Sequence, residues 1–162
     1  MNRRMTGFSL KDGEGRTTTI LFRGTKITIK VSQEDSEGRY TLFEMVHPPN
    51  VGPALHIHPN APEEYYVLEG EYEIRCGKEE EKEENLYHAK KGDFVFIPKG
   101  IEHKYESGPH GGKVLLISPA GLEKYFEDVA DILKVDGTIT WEREQEISRR
   151  YGQEFLESLK HW

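Results

Sequence analysis

Between residues 18 and 118 the chain is cut into short segments in which apolar and polar side chains alternate, and Gly or Pro separates nearly every pair of them. Thr18-Thr19-Ile20-Leu21-Phe22, Lys26-Ile27-Thr28-Ile29-Lys30-Val31 and Tyr40-Thr41-Leu42-Phe43-Glu44-Met45-Val46 are the first three. Residues 65–68, 72–76, 86–89, 94–97, 103–106 and 113–118 continue the series. A period of two places alternate side chains on opposite faces of a strand. Many short strands with turn signals at close intervals predict an all-β barrel or sandwich.

The pattern changes after Pro119. Leu122, Tyr125, Phe126, Val129, Ile132 and Leu133 recur at helical spacing, predicting an amphipathic helix over residues 121–133. Ile147, Tyr151, Phe155 and Leu159 lie four apart and predict a second over residues 142–159, with Gly152 as a point of weakness. A chain of 162 residues suits one domain. The expected organisation is an N-terminal extension (1–17), a β-barrel domain (18–118) and a C-terminal helical extension (119–162) packing on the barrel or on a dimer partner.

A formal charge of −7 argues against a phosphate-binding surface and so against nucleic acid as a partner. The acidic run over residues 79–84 reads as the solvated tip of a hairpin. There is no run of about 18 apolar residues to span a bilayer, and Met1-Asn2-Arg3-Arg4 is not followed by the apolar stretch of a signal peptide. The expectation is a soluble, cytoplasmic protein with no membrane partner. Cys76 is the only cysteine, which excludes an internal disulfide, and it reads as a buried or half-buried strand residue.

The chemistry is concentrated in two segments. In His56-Ile57-His58 a one-residue gap puts both imidazoles on the same side of a strand. Glu63 lies an odd number of positions further on, but Pro59 and Pro62 bracket a turn from which the chain can re-enter the sheet with Glu63 facing inward. His103 follows the turn Pro98-Lys99-Gly100 and comes from a neighbouring strand. Three imidazoles and a carboxylate suit one divalent Fe, Mn, Co, Ni or Zn ion, and disfavour Ca or Mg, which prefer oxygen cages.

These two segments resemble the two motifs of the cupin superfamily. His56-Ile57-His58, four residues, Glu63, six residues and Gly70 is similar to the first. Gly92, five residues, Pro98-Lys99-Gly100, two residues and His103 is similar to the second. Asn50 stands where the first motif often opens with Gly, Gly52 being displaced by two, and Ser107 stands where the second often has Asn. Residues 27–131 look like the single-domain cupins similar to quercetin 2,3-dioxygenase, and Ile117-Ser118-Pro119-Ala120-Gly121-Leu122 leading into a helix adds to the likeness. The resemblance implies a cupin double-stranded β-helix, a jelly-roll barrel, with one or two C-terminal helices. It also implies a metal held near the barrel centre by His56, His58, Glu63 and His103, and commonly a homodimer. Strands apolar on both faces, such as Tyr65-Tyr66-Val67-Leu68, also favour dimerisation.

Strand alternation places Tyr65 beside Glu63 and Tyr105 beside His103 on the ligand face, as candidate catalytic residues together with Glu63. Phe43 and Met45 read equally as pocket or as core; Phe94 and Phe96 read as core. His47, His88, His110 and His161 read as surface residues, Glu64 and Glu102 as pointing away from the metal, and Glu69 as exposed. The expected activity is that of a dioxygenase-like metal enzyme on a small enol, hydroxy-keto or aromatic compound. Two rivals stand beside it: a non-catalytic binding module with a structural metal, and a metal-dependent isomerase.

Overall fold

A computed structural model describes residues 6–78 and 85–157. The elements run β1 (Ile20–Phe22), β2 (Thr25–Val31), β3 (Thr41–His47), β4 (His56–Ile57), β5 (Glu63–Cys76), β6 (Leu86–Lys90), β7 (Phe94–Ile97), β8 (His103–Ser118), α1 (Leu122–Asp136), α2 (Trp141–Arg150) and β9 (Glu154–Phe155). All nine strands join one antiparallel sheet in the order β1-β2-β3-β8-β4-β9, with β5 paired to β6, β7 and β8. The expected all-β jelly-roll barrel is the architecture found. Among the described residues no helix is long and apolar enough to cross a membrane.

Two long strands organise the sheet. β5 and β8 run antiparallel from Glu64 opposite Ile117 to Cys76 opposite His103, with register shifts between Val67 and Glu69 and between Gly70 and Tyr72. Bulges let a strand bend sharply, and here they curl one continuous ribbon around the core. At the bend Gly70 has φ +73°, and a Cβ there would come within 2.4 Å of the Gly111 carbonyl oxygen. Only glycine fits so close a crossing. Sequence reasoning broke both strands in two because Gly and Pro read as turns; the structure uses the glycines to bend strands that continue through them.

The inward faces carry the alternation: Ile27 and Ile29 of β2, Phe43 and Met45 of β3, Tyr65, Val67, Tyr72 and Ile74 of β5, and Tyr105, Val114 and Leu116 of β8 are all buried. Each such side chain contributes roughly 1.5–3 kcal/mol. α1 closes one side with Leu122, Tyr125, Phe126 and Val129; Phe126 meets Phe22 edge-on at 5.1 Å and Phe43 at 5.5 Å. Phe43 is therefore core, whereas Phe94 and Phe96, expected in the core, are 59% and 51% exposed. They lie on the outer face of β7, where they pair with Tyr66 and Glu64 of β5.

The second helix is shorter than its periodicity predicts. Thr140 caps its start by accepting from the Arg143 amide, and it ends at Arg150. Gly152, at φ +76°, turns the chain out of the helix, so Phe155 reaches the core from a strand instead. Leu159 lies outside the described residues, as do the acidic run 79–84 and His161. Glu144 anchors α2 from inside: it accepts two bonds from the Arg23 guanidinium, at 2.8 and 2.7 Å, and one from the Tyr125 hydroxyl at 2.7 Å.

Candidate metal centre

Three elements bring the site together. β4 carries His56, and His58 follows directly after it; β5 begins at Glu63; β8 begins at His103, directly opposite His56 in the ladder. The turn over residues 58–62 resets the parity of the chain, so Glu63 points inward as its surrounding prolines suggested. All four side chains are at most 3% exposed. One ligating atom from each lies within 4.8 Å of all the others.

The arrangement centres on the carboxylate. His103 Nε2 lies 3.0 Å and His56 Nε2 4.0 Å from Glu63 Oε2, and His58 Nε2 lies 3.3 Å from Oε1. On the far side of each ring, Nδ1 meets a backbone carbonyl: His56 that of Ala54 at 2.8 Å, His103 that of Ile101 at 2.8 Å, and His58 that of Gly152 at 3.3 Å. A carbonyl only accepts, so each Nδ1 carries a proton and each ring turns its Nε2 toward the centre, where that nitrogen ligates a cation once it is unprotonated. His58 Nε2 is buried with no hydrogen-bond partner. Three ring nitrogens gathered on one buried carboxylate, with His58 Nε2 unpartnered, are stabilised by a cation lying among them. The donor chemistry, nitrogen with one oxygen, fits a divalent transition ion, and the bonded Nδ1 atoms are the outer support such a site requires.

Glu63 is held in place by two hydroxyls: Tyr65 donates to Oε2 at 2.5 Å and Ser118 to Oε1 at 2.6 Å. Burial by itself works against the ionised carboxyl, but positive charge on the His58 and His103 side of it outweighs burial and holds Glu63 well below the usual carboxylate range. Burial likewise pushes His56 well below the usual imidazole range, reinforced by His103 and His58. The Tyr65 and Tyr105 phenols are pushed well above theirs, mainly by burial, so both stay protonated.

Tyr65 and Tyr105 both face inward, but their surroundings differ. Tyr65 is engaged with Glu63, whereas Tyr105 lines a cavity of about 10 Å³ with Met45, Pro53, His56, Glu63 and Gln153, under Leu116 and the α1 residues Leu122 and Phe126. That is room for about one water-sized group. A much larger outer pocket, about 340 Å³, is lined by Tyr72 together with Glu71, Glu73, His88, Lys90 and Glu106.

Two residues that sequence reasoning did not bring to the site now belong to its surroundings. Ser118 shares the parity of Leu116 and Val114 and so reaches Glu63. His47, expected on the surface, is 3% exposed; it continues the inward series Phe43, Met45, and the following Pro48 had disguised it as a loop residue. Its Nδ1 pairs with the Tyr72 hydroxyl at 2.9 Å and its Nε2 with that of Tyr105 at 3.0 Å. His88, His110 and Glu69 are exposed; Glu64 and Glu102 are partly exposed and outside the cluster. Asn50 adopts φ +55°, the conformation its usual glycine would supply. Ser107 binds its loop, its hydroxyl donating to the Pro48 carbonyl at 2.7 Å and accepting from the Val51 amide at 3.1 Å. A Cβ on Gly52 would lie 1.7 Å from the Tyr105 carbonyl oxygen, which fixes that position as glycine.

Residues 43–117 match the family described as the cupin domain, and that stretch contains all four clustered side chains. No protein of curated function matches the sequence. Among solved structures the fold is similar to that of the polyketide cyclase RemF from Streptomyces resistomycificus, at 22% identity and a TM-score of 0.56 over 71% of this chain and 80% of that one. It is also similar to KdgF from Halomonas sp., at 16% identity and 0.55 over 73% and 99%. An RmlC-like cupin from Shewanella frigidimarina gives 18% identity and 0.55 over 74% and 96%. At these identities the likeness is one of fold.

Proposed function

We propose that this cupin-domain chain holds one divalent transition-metal ion through His56, His58, Glu63 and His103, and that it is a metal-dependent enzyme acting on a small enol or hydroxy-keto compound. The observation that carries the reading is the convergence of three Nε2 atoms on the buried Glu63 carboxylate, that of His58 without any hydrogen-bond partner. Bound there, Fe, Mn, Co, Ni or Zn would supply Lewis acidity toward an anionic oxygen of the substrate and, for a redox-active ion, a template for reaction with O2.

The chain's own residues supply orientation and protons. Ser118 and Tyr65 fix both oxygens of Glu63. Tyr105 is the hydroxyl at the cavity, and His47 sets its direction. With Tyr72 donating to Nδ1 and Nε2–H donating to Tyr105, the Tyr105 proton is left for Met45 Sδ, 3.7 Å away, or for an oxygen placed in the cavity. A neutral phenol there stabilises a developing oxyanion. Met45, Leu116, Leu122 and Phe126 keep the site apolar, which suits an enol or aromatic ligand better than the polar substrates of a sugar isomerase.

The small cavity favours a second reading, a non-catalytic module whose metal locks the barrel. A closed structural site uses all its positions on protein, and about 10 Å³ leaves room for little else. Oxygen-electrode assays of the Fe, Mn, Co, Ni and Zn forms against flavonols and smaller enols separate the two. Substrate-dependent O2 uptake supports the dioxygenase-like enzyme. Stoichiometric metal with no turnover of any enol, by O2 uptake or by loss of substrate, leaves the binding module.

A further inference from the structure

Two of the four clustered side chains are held by a part of the chain that lies beyond the cupin-domain match. β4 is only two residues long, and β8 touches it at a single pair, His56 with His103. Its other edge is covered by β9, with His56 opposite Phe155 and Ile57 opposite Glu154. Left as an exposed edge, a strand so short has little to fix it. The pairing extends past the strand: the Leu156 amide donates to the Leu55 carbonyl at 2.8 Å, and Glu157 accepts from the Leu55 amide at 2.8 Å and from Lys104 at 3.0 Å.

The same segment reaches both histidines of the H-x-H pair. The Gly152 carbonyl is the acceptor for His58 Nδ1, and the Phe155 ring lies against His56 with centroids 6.0 Å apart. α2 clasps it from behind. The Gln145 side chain donates to the Phe155 carbonyl at 2.7 Å and accepts from the Phe155 amide at 3.0 Å, standing in for a neighbouring strand. Ser148 donates to the Gln153 carbonyl at 2.9 Å.

We propose that residues 152–157 form a strap that is a working part of the metal centre, and that Gln145 is a positioning residue for His56 and His58 acting through it. The inference rests on the metal reading above. Fixing the rotation of a ligating imidazole through its second nitrogen is what sets how well it binds. Here that support for His58 comes from the carbonyl of Gly152, the φ +76° residue at which the chain turns out of α2, and the strap's place depends on a glutamine more than forty positions beyond His103.

The test uses the full chain and cobalt(II), whose visible spectrum reports the geometry of its ligands. Gln145→Ala removes both bonds to the Phe155 backbone without touching a ligand; Glu157→Ala releases Leu55 and Lys104 at the surface and carries the same comparison should Gln145→Ala fail to fold. The expected result is cobalt release to a chelator about ten-fold faster in Gln145→Ala, a smaller acceleration in Glu157→Ala, and an altered cobalt spectrum. The thermal stabilisation conferred by cobalt should shrink relative to wild type. Release rates and spectra like those of wild type, with equal losses of Tm in the cobalt-loaded and cobalt-free forms, would make the strap merely structural and overturn the proposal. Failure of the wild-type chain itself to take up cobalt would instead remove the metal reading on which it stands.

Discussion

Two sets of buried histidines occupy the same barrel interior and are built in opposite ways. His47 has a partner for each ring nitrogen, the hydroxyls of Tyr72 and Tyr105, and nothing is left over. His56, His58 and His103 each bond a carbonyl through Nδ1 and turn Nε2 toward the one shared carboxylate of Glu63, within 3.0 Å for His103 and with no hydrogen-bond partner for His58. Both sets are almost completely buried. Burial alone therefore does not distinguish a histidine that packs from one that ligates. What does is the convergence of three Nε2 atoms on one carboxylate with His58 Nε2 left unpartnered, because a buried polar atom without a partner is costly unless a cation completes the site.

The sharpest way to break this contrast is to remove a ligand from one set. His56→Ala or His103→Ala should abolish stoichiometric metal uptake, measured by elemental analysis, while circular dichroism retains the β-sheet signal. His47→Gln should leave uptake intact, and its effect should fall on acid stability instead. Burial pushes His47 from 6.5 down to about 3 in the folded chain. As pH falls through that interval the unfolded chain takes up a proton that the folded one refuses, so stability is lost from about pH 6.5 toward pH 3. The contribution is on the order of a few kcal/mol. Urea titrations of metal-free protein across that window should show a slope flatter by about one proton in His47→Gln.

Smaller effects sharpen the picture around Glu63. Ser118→Ala and Tyr65→Phe each remove one donor to the carboxylate and should weaken metal binding about ten-fold in chelator competition. The smallest effect belongs to the outer face. Phe94→Ser should change unfolding stability by no more than about 0.5 kcal/mol, since the ring is mostly exposed. The homodimer expected from the sequence would use this apolar strip, Tyr66, Phe94 and Phe96; Phe94→Glu should then lower the mass measured by sedimentation to that of a monomer, and an unchanged mass excludes this face.

Much of this was legible because it depends on parity. The inward placement of His56, Glu63, Tyr65, His103 and Tyr105 follows from strand alternation and from the turn that the two prolines impose after His58. The four-residue cluster was within reach for that reason. His47 obeyed the same rule as Phe43 and Met45, yet the neighbouring prolines suggested a loop where the strand continues. Phe94 and Phe96 were misplaced because a short apolar run does not say which of its faces turns inward; the residues facing out here are the aromatic ones. The strap was beyond sequence reasoning altogether. Ile147, Tyr151 and Phe155 keep helical spacing, and only the return of the chain at Gly152 to pair with a strand almost a hundred positions earlier makes Phe155 part of a sheet. Non-local pairing of a two-residue strand leaves no local signature.

The central claim, that the four converging side chains hold a metal, is tested most directly by elemental analysis of chain purified without a chelating tag and then offered Fe, Mn, Co, Ni and Zn in turn. The expected result is about one ion per chain in wild type and none in His56→Ala. Wild-type chain that retains none of these ions, or His56→Ala that retains as much as wild type, would contradict it.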